Sequence, residues 1–165
     1  MARALIVGCG CRGRLLARRL LAGGWEVRGT TRSEDRLAAI EAAGAEAAIA
    51  DPDRPGTVLD LVGDVTVVHW LLGSAVGEPE SVAAIHGPRL ERLLEKLVDT
   101  PVRGFVYEAS GDVGLVRLEG GAELVSRAAE TWRIPVEVVS ADPGEPEAWL
   151  EAMVAASAAV LANRG

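Results

Sequence analysis

The 165-residue sequence has few aromatic residues, few cysteines and few histidines. Aromatic residues make up only 4% of the chain, so its core must be built mainly from alanine, valine, leucine and isoleucine. The two cysteines, Cys9 and Cys11, lie too close together in one turn to favour a disulfide, and nothing else indicates secretion. Two thiols without a neighbouring histidine make a poor metal site, and we therefore predict no bound metal.

The sequence also lacks a long apolar run and a positive net charge. No run reaches the ~20 apolar residues of a spanning helix, and residues 3–7 already form a predicted core strand, so neither a membrane segment nor a signal peptide is expected. The net charge of −7 argues against a nucleic-acid or membrane surface as partner. We predict a single cytoplasmic domain covering residues 1–165, with the apolar share of 49% that is ordinary for globular proteins.

Short β-rich segments alternate along the chain with longer helical ones. The predicted strands are 3–7, 25–30, 45–50, 65–70, 102–108 and 136–140. The predicted helices are 11–22, 34–43, 88–97, 122–132 and 147–161, with a short turn near 57–61. This alternation predicts an α/β fold with a doubly wound, mainly parallel sheet of about six strands and helices on both faces. Ligands of such sheets lie beyond the carboxyl ends of the strands.

A glycine-rich turn, with Gly8, Gly10 and Gly13 in a G-x-G-x-x-G pattern, joins the first predicted strand to the first predicted helix. In a Rossmann-type fold the first glycine makes the tight turn, the second admits a pyrophosphate, and the third lets the helix pack on the strand. The helix N-terminus, with Cys11 and Arg12, then favours the anion. The alternative is a tight turn that needs glycine and binds nothing. The cysteines are either small turn residues or, at this helix end, redox-sensitive thiols.

The end of the second strand predicts which dinucleotide is bound. NAD-binding folds place an acidic residue there for the ribose 2′-hydroxyl, whereas this chain has Thr31 and Arg32 and no carboxylate before Glu34. A hydroxyl followed by arginine suits a 2′-phosphate, which favours NADP(H) over NAD(H). The alternative is that Arg32 is solvated. The positive charge expected near this site comes from five arginines: Arg12, Arg14, Arg28, Arg32 and Arg36.

Further candidates follow the ends of the later strands. Asp51 either accepts a hydrogen bond from the adenine amino group or caps the turn through Pro52. Leu71 and Gly73, just after the fourth strand, are candidate cofactor contacts, and the loop from Gly73 to Pro79 is expected to form the rim of the crevice. Four other side chains could lie either in the core or at the crevice. The sequence favours the core for His69, His86 and Tyr107, and the crevice for Trp70. His69 is nevertheless kept as a candidate proton donor.

The chain resembles the short-chain dehydrogenase/reductase superfamily, particularly its extended and atypical, NAD-dependent epimerase-like members. The likeness rests on segment 4–31, Asp51, the apolar-His-Leu segment 67–72, segment 104–111 and segment 129–136. It implies an NAD(P) cofactor, a small carbonyl or sugar-like substrate, and a homodimer formed through the helices at 88–97 and 122–132. It also places Ser110 at the position of the catalytic serine, where Ser110 orients a carbonyl, touches the nicotinamide or only closes a turn.

The family's catalytic tyrosine and lysine have no counterpart in this sequence. The single tyrosine is Tyr107, inside the fifth strand, and the single lysine is Lys96, in the preceding helix. The positions where the pair is expected, near Ala122 and Ser126, cannot perform acid–base catalysis. We therefore favour a cofactor-binding or sensing module. The alternatives are an NADP-dependent oxidoreductase or epimerase-like enzyme with a non-standard donor, such as His69, Asp112 or a partner chain, and a scaffold in which the glycine turn is a relic.

Overall fold

The computed structural model describes residues 2–163, which form one six-stranded parallel sheet flanked by helices. The strand order is β3-β2-β1-β4-β5-β6, so the chain reverses direction across the sheet between β1 and β4. The strands are β1 (Arg3–Val7), β2 (Glu26–Thr31), β3 (Glu46–Ile49), β4 (Val67–Trp70), β5 (Gly104–Glu108) and β6 (Val136–Val139). The predicted fold class is confirmed, and the reversal beside β1 is where ligands bind in sheets of this kind.

Helices cover both faces of the sheet. They are α1 (Cys11–Ala22), α2 (Leu37–Ala42), α3 (Pro55–Leu59), α4 (Pro79–Ile85), α5 (Pro88–Leu97), α6 (Leu115–Trp132) and α7 (Pro146–Ala162), with a 3-10 turn (Glu34–Arg36) before α2. Successive strand residues point to opposite faces, so Leu5 and Val7 join the core beneath α5 and α6, whereas Ala4 and Ile6 join the core beneath α1 and α7. Both cores are built mainly from leucine, isoleucine, valine and alanine, as the low aromatic content predicts.

The predicted bounds of β1, α1 and α5 match the structure, whereas α4 and the start of α6 were missed. Helix α4 begins at Pro79, the last residue of the loop predicted after the fourth strand, and α6 begins at Leu115 rather than at residue 122. Gly120 and Gly121 disfavour a helix by local propensity. Tertiary packing explains why a glycine stands at Gly121: a Cβ there would lie 2.0 Å from the hydroxyl of Tyr107 on β5.

Candidate functional site: a cavity at the carboxyl edge of the sheet

A cavity of about 400 Å³ lies at the carboxyl ends of the central strands. Its walls come from the glycine turn, the ends of β2, β3, β4 and β5, the segment leading into α4, and one side chain of α7. Nine of the eleven residues predicted to bind the cofactor line it: Gly8, Gly10, Cys11, Arg12, Gly13, Thr31, Arg32, Asp51 and Leu71. The other two, Gly73 and Ser110, lie outside its lining. The topology thus brings together residues separated by more than half of the chain.

The glycine turn is shaped by close backbone packing. Gly8 has a φ of +84°, and a Cβ at this position would lie 2.5 Å from the carbonyl oxygen of Leu71. A Cβ at Gly13 would lie 3.3 Å from the carbonyl oxygen of Gly8, whereas a Cβ at Gly10 would have no heavy-atom neighbour within 4 Å among the described residues. Gly8 and Gly13 therefore serve the turn itself, and Gly10 leaves open space at the N-terminus of α1.

The N-terminus of α1 presents backbone donors to the cavity. The N–H of Arg14 donates to the carbonyl oxygen of Gly10 at 2.9 Å, so the N–H groups of Cys11, Arg12 and Gly13 precede the first helical hydrogen bond. The helix dipole adds positive potential at the same place, and Arg12 adds a full charge to the cavity wall. This end of α1 is suited to an anion.

Arg32 is fixed across the cavity mouth. Its guanidinium donates to the carbonyl oxygen of Val76 at 2.7 Å, which links the end of β2 to the segment before α4. The preceding Thr31 accepts a hydrogen bond from the N–H of Ser33 at 3.2 Å, which shapes the turn that follows β2. Arg36 lies on the same part of the lining. These contacts order a basic wall at the β2 side of the cavity.

Asp51 caps the turn after β3. Its Oδ1 accepts the N–H of Asp53 at 2.9 Å, across Pro52, and its own N–H donates to the hydroxyl of Thr57 at 2.8 Å. The turn-capping alternative is therefore present in the structure. The same residue lines the cavity beside Thr31 and Arg32, so contact with an adenine stays a prediction.

Glu108 is the functional candidate that the sequence analysis missed. Its carboxyl group lines the cavity at the end of β5 but is only 2% exposed. Oε1 accepts the backbone N–H of Gly73 and Oε2 accepts the indole N–H of Trp149, each at 2.9 Å. Burial raises the pKa of Glu108, and the two hydrogen bonds and the charge of Arg12 oppose that rise. An acidic residue directly after the apolar run 104–107 was the available signal.

Gly73 and Ser110 hold two loops together rather than lining the cavity. A Cβ at Gly73 would lie 2.0 Å from the carbonyl oxygen of Ser110, and a Cβ at Gly111 would lie 2.2 Å from the carbonyl oxygen of Gly73. The hydroxyl of Ser74 accepts the N–H of Asp112 at 3.1 Å. The loops after β4 and β5 therefore touch backbone to backbone, and a contact between Ser110 and a cofactor or substrate stays a prediction.

The weak candidate His69 lies in the core and has no access to the cavity. It is fully buried in β4, and its Nε2 lies 2.7 Å from the hydroxyl of Ser157 on α7. That hydroxyl donates to the carbonyl oxygen of Met153 at 2.8 Å, so it accepts the Nε2–H of His69. Burial lowers the pKa of His69 to about 4, which keeps the ring neutral. His69 is therefore a core residue, as the sequence analysis favoured.

Tyr107 and His86 form a second buried pair, on the opposite face of the sheet from His69 and Ser157. The Tyr107 hydroxyl donates to Nδ1 of His86 at 2.6 Å, and Nε2–H of His86 donates to the carbonyl oxygen of Leu72 at 2.8 Å. Burial raises the pKa of Tyr107 above its ordinary value and lowers that of His86. Both side chains are structural, and their network supports the loop that carries Leu72 into the cavity.

Two sequence predictions about the crevice are wrong. Trp70 is fully buried and donates its indole N–H to the carbonyl oxygen of Ile85 at 3.0 Å; the tryptophan in the cavity wall is Trp149. Arg28 contacts Asp64 at 2.8 Å and Glu46 at 3.2 Å. Because these two carboxylates lie near the amino ends of β3 and β4, Arg28 adds no charge to the cavity wall.

The two cysteines differ in environment. Cys9 is 3% exposed and donates its backbone N–H to the carbonyl oxygen of Thr30 at 2.9 Å. Burial raises the pKa of its thiol to about 11, so Cys9 is a packing residue. Cys11 is exposed on the cavity wall, and its Sγ accepts a hydrogen bond from Arg14 at 3.3 Å.

Neither a model of a known protein family nor a curated protein sequence matches this chain. Solved structures do match its fold. A UDP-glucuronic acid 4-epimerase from Bacillus cereus in complex with NAD is 15% identical with a TM-score of 0.69, over 85% of this chain and 56% of that one. Vestitone reductase from alfalfa is 18% identical with a TM-score of 0.64, over 84% of this chain and 56% of the reductase. The chain spans about half the length of these two proteins.

A third similar structure is matched over most of both chains. BdcA (YjgI) from E. coli is 20% identical with a TM-score of 0.70, over 93% of this chain and 88% of BdcA. At these identities the likeness establishes the Rossmann-type fold alone. Residues 2–163 contain no helix with the length and apolar character to span a bilayer, and no cluster of three or more His, Cys, Asp or Glu side chains for a metal ion. The cytoplasmic location and the homodimer stay predictions.

Proposed function

We propose that this protein binds NADP(H) in the cavity at the carboxyl edge of its sheet and acts as a cofactor-binding or sensing module. The observation that carries the proposal is the glycine turn, which opens the N-terminus of α1 into a cavity of about 400 Å³ beside the reversal of strand order. That position and volume are typical of nucleotide sites in doubly wound folds. The similar epimerase in complex with NAD supports the same class of ligand.

The pyrophosphate is expected at the start of α1. The N–H groups of Cys11, Arg12 and Gly13 are available there, and the absence of a Cβ at Gly10 leaves room for the phosphates to approach the backbone. Arg12 supplies a charge that partly neutralises the two phosphates. The chain as a whole is acidic, so this local concentration of donors and positive charge is what permits an anionic ligand to bind.

The 2′-phosphate of NADP(H) is expected between Arg32 and Arg36. Arg32, directly after β2, and Arg36, in the 3-10 turn before α2, both line the cavity, as does Thr31 at the end of β2. A phosphate placed there would exchange the contact of Arg32 with the Val76 carbonyl for a charge-assisted, bidentate one. No carboxylate at the end of β2 competes for a ribose 2′-hydroxyl, which supports NADP(H) over NAD(H).

The absence of the family's acid–base pair supports binding rather than standard catalysis. When bound, a nicotinamide cofactor supplies hydride chemistry, but the protein must supply the proton donor. Tyr107 is buried against His86 on the far side of β5, and Lys96 lies on α5 outside the cavity lining. Helix α6 carries Ala122 and Ser126, which cannot hold and donate a proton at neutral pH. Binding and orientation of the cofactor are the roles left to the lining residues.

The test is calorimetric titration of the purified protein with NADPH, NADP, NADH and NAD. We expect micromolar affinity for the phosphorylated pair. Arg32→Ala should weaken it about tenfold or more, since each charge-assisted phosphate contact contributes about 1.5–3 kcal/mol. NADH and NAD should bind more weakly and respond little to the same change.

The matched control is Arg92→Ala, which removes an exposed arginine from α5 outside the cavity lining. It lowers the net charge equally but should leave all four affinities unchanged. Equal loss of NADPH affinity in both variants would mean that only overall charge matters. Failure of all four nucleotides to bind the wild-type protein would refute the proposal and favour a protein partner.

A further inference from the structure

The cavity has opposite chemical character at its two ends. At the β2 end, Arg32 and Arg36 form a basic wall, and the N-terminus of α1 beside it carries backbone donors. At the β5 end the lining includes Glu108 and Trp149, both buried, and the indole N–H of Trp149 donates to the Glu108 carboxyl group. A ligand that spans the cavity therefore needs an anionic group at one end and a hydrogen-bond donor or a positive charge at the other.

Glu108 is held in one orientation by partners that leave acceptor capacity free. The N–H of Gly73 contacts one carboxyl oxygen and the indole N–H of Trp149 contacts the other. A carboxylate can accept about four hydrogen bonds, so two acceptor sites remain. Both partners are donors to the ionised form, so they oppose the rise in the pKa of Glu108 that burial causes. A buried carboxylate acts on nearby charges through a low effective dielectric. The geometry is that of a fixed negative charge in a cavity wall.

We infer that Glu108 is a specificity-determining residue that makes the site prefer the oxidised nicotinamide, NADP, over NADPH. The inference rests on the proposed function, because it places the nicotinamide end of the ligand near the end of β5. The carboxamide group can donate an N–H in both oxidation states, so it does not discriminate between them. The ring carries a positive charge only when oxidised, and the Glu108 carboxylate stabilises that charge.

The size of the preference follows from the charge interaction. Unit charges about 12 Å apart, at an effective dielectric constant of about 20, interact strongly enough for a preference of about tenfold for NADP over NADPH. A tenfold preference lowers the midpoint potential of the bound two-electron couple by about 30 mV. The site would then report the oxidation state of the NADP pool, which is the behaviour required of a sensing module.

The experiment measures the dissociation constants of NADP and NADPH by calorimetry for the wild-type protein, Glu108→Gln and Glu130→Gln. Gln keeps an acceptor oxygen and the size of the side chain but removes the charge. We expect the wild-type preference of about tenfold to fall to near unity in Glu108→Gln. Glu130 is exposed on α6, and its variant should keep the wild-type ratio. An unchanged ratio in Glu108→Gln would overturn the inference.

A second measurement needs no variant, in case Glu108→Gln does not fold. The groups that face or adjoin the Glu108 carboxyl are the guanidinium of Arg12 on α1, the indole of Trp149 on α7 and the neighbouring Tyr107 in β5. Of these, Trp149 does not titrate, and Tyr107 stays neutral near pH 7, since its pKa is raised. The NADP preference of the wild-type protein should therefore decrease as acidification protonates Glu108. A ratio that does not change with pH would overturn the inference.

The outcomes separate this inference from the proposed function. Equal affinity of the wild-type protein for NADP and NADPH overturns the role of Glu108 but leaves NADP(H) binding intact. Failure to bind either form overturns both. A preference for NADPH in the wild-type protein would place the ring away from the carboxylate and also overturn the inference.

Discussion

Acidification should destabilise the protein through His69, and the size of the effect can be worked out from its burial. In the folded state the pKa of His69 is lowered to about 4, whereas the unfolded value is 6.5. Between these values the unfolded chain binds a proton that the folded chain does not, so stability falls as pH falls. From about pH 7.5 to about pH 4.5 the loss is about 2–3 kcal/mol, at about 1.4 kcal/mol per pK unit.

The variant His69→Gln isolates this contribution. Glutamine carries no charge at any pH, and its amide N–H can still donate to the hydroxyl of Ser157. Two other buried groups have shifted pKa values. His86, whose pKa is lowered by burial, also contributes a loss of stability on acidification, while Glu108, whose pKa is raised by burial, contributes a gain as pH falls. Both remain in the variant, so the difference between variant and wild type reports His69 alone.

The assay is urea denaturation followed by circular dichroism at several values between about pH 4.5 and about pH 7.5. We expect the wild-type protein to lose about 2–3 kcal/mol more than His69→Gln over this range. Ser157→Ala is the matched control, since it removes the hydrogen-bond acceptor but leaves the imidazole to titrate, and it should keep the wild-type pH dependence. If His69→Gln loses as much stability on acidification as the wild type, the reasoning from burial is refuted.

Three further predictions concern stability, each measured as the free energy of unfolding in urea. Tyr107→Phe leaves Nδ1 of His86 without its donor and should cost about 1–3 kcal/mol; no loss would mean that water replaces the hydroxyl. Gly8→Ala should cost about 2 kcal/mol or more, because φ is +84° and the Cβ would meet the Leu71 carbonyl at 2.5 Å; a smaller loss would show that the turn relaxes. Arg28→Met should cost about 1–3 kcal/mol at low salt, and an unchanged stability would indicate that its half-exposed carboxylate partners contribute nothing.

The fold could be predicted from the sequence because its signals are local. The alternation of β-rich and helical runs is what a parallel sheet with crossover helices requires, and it does not depend on contacts between distant residues. The misses lie where a distant residue decides the local structure. The glycines at 120 and 121 argue against a helix, yet α6 runs through them. Gly121 is explained by the Tyr107 hydroxyl, which occupies the space where its Cβ would lie. No local pattern contains that information.

In the candidate site, too, the residues of one local motif could be predicted, whereas those brought together from distant parts of the chain could not. Gly8, Gly10 and Gly13 belong to one turn, so their spacing alone predicts the anion-binding end of the cavity. Glu108 and Trp149 are 41 residues apart and meet only because β5 and α7 pack together. Trp70 and Arg28 were assigned to the crevice from their place near a strand end, but side chains alternate between faces along a strand, and small errors of register reverse the assignment.

Helix α7 links the stability of the core to the chemistry of the cavity. Its Ser157 accepts the N–H of the buried His69, and its Trp149 donates to the carboxyl of Glu108. One helix is therefore hydrogen-bonded to β4 through Ser157 and to β5 through Trp149. A shift of α7 along the sheet would break both contacts together, which would leave a buried imidazole donor and a buried carboxylate short of partners. Because each unpaired buried group costs about 1–3 kcal/mol, the helix has one favourable position. Glu108 is the only acidic residue at the β5 end of the described cavity lining. The packing of α7 therefore helps to set its orientation, although α7 lies more than 35 residues further along the chain and carries no recognisable ligand-binding motif.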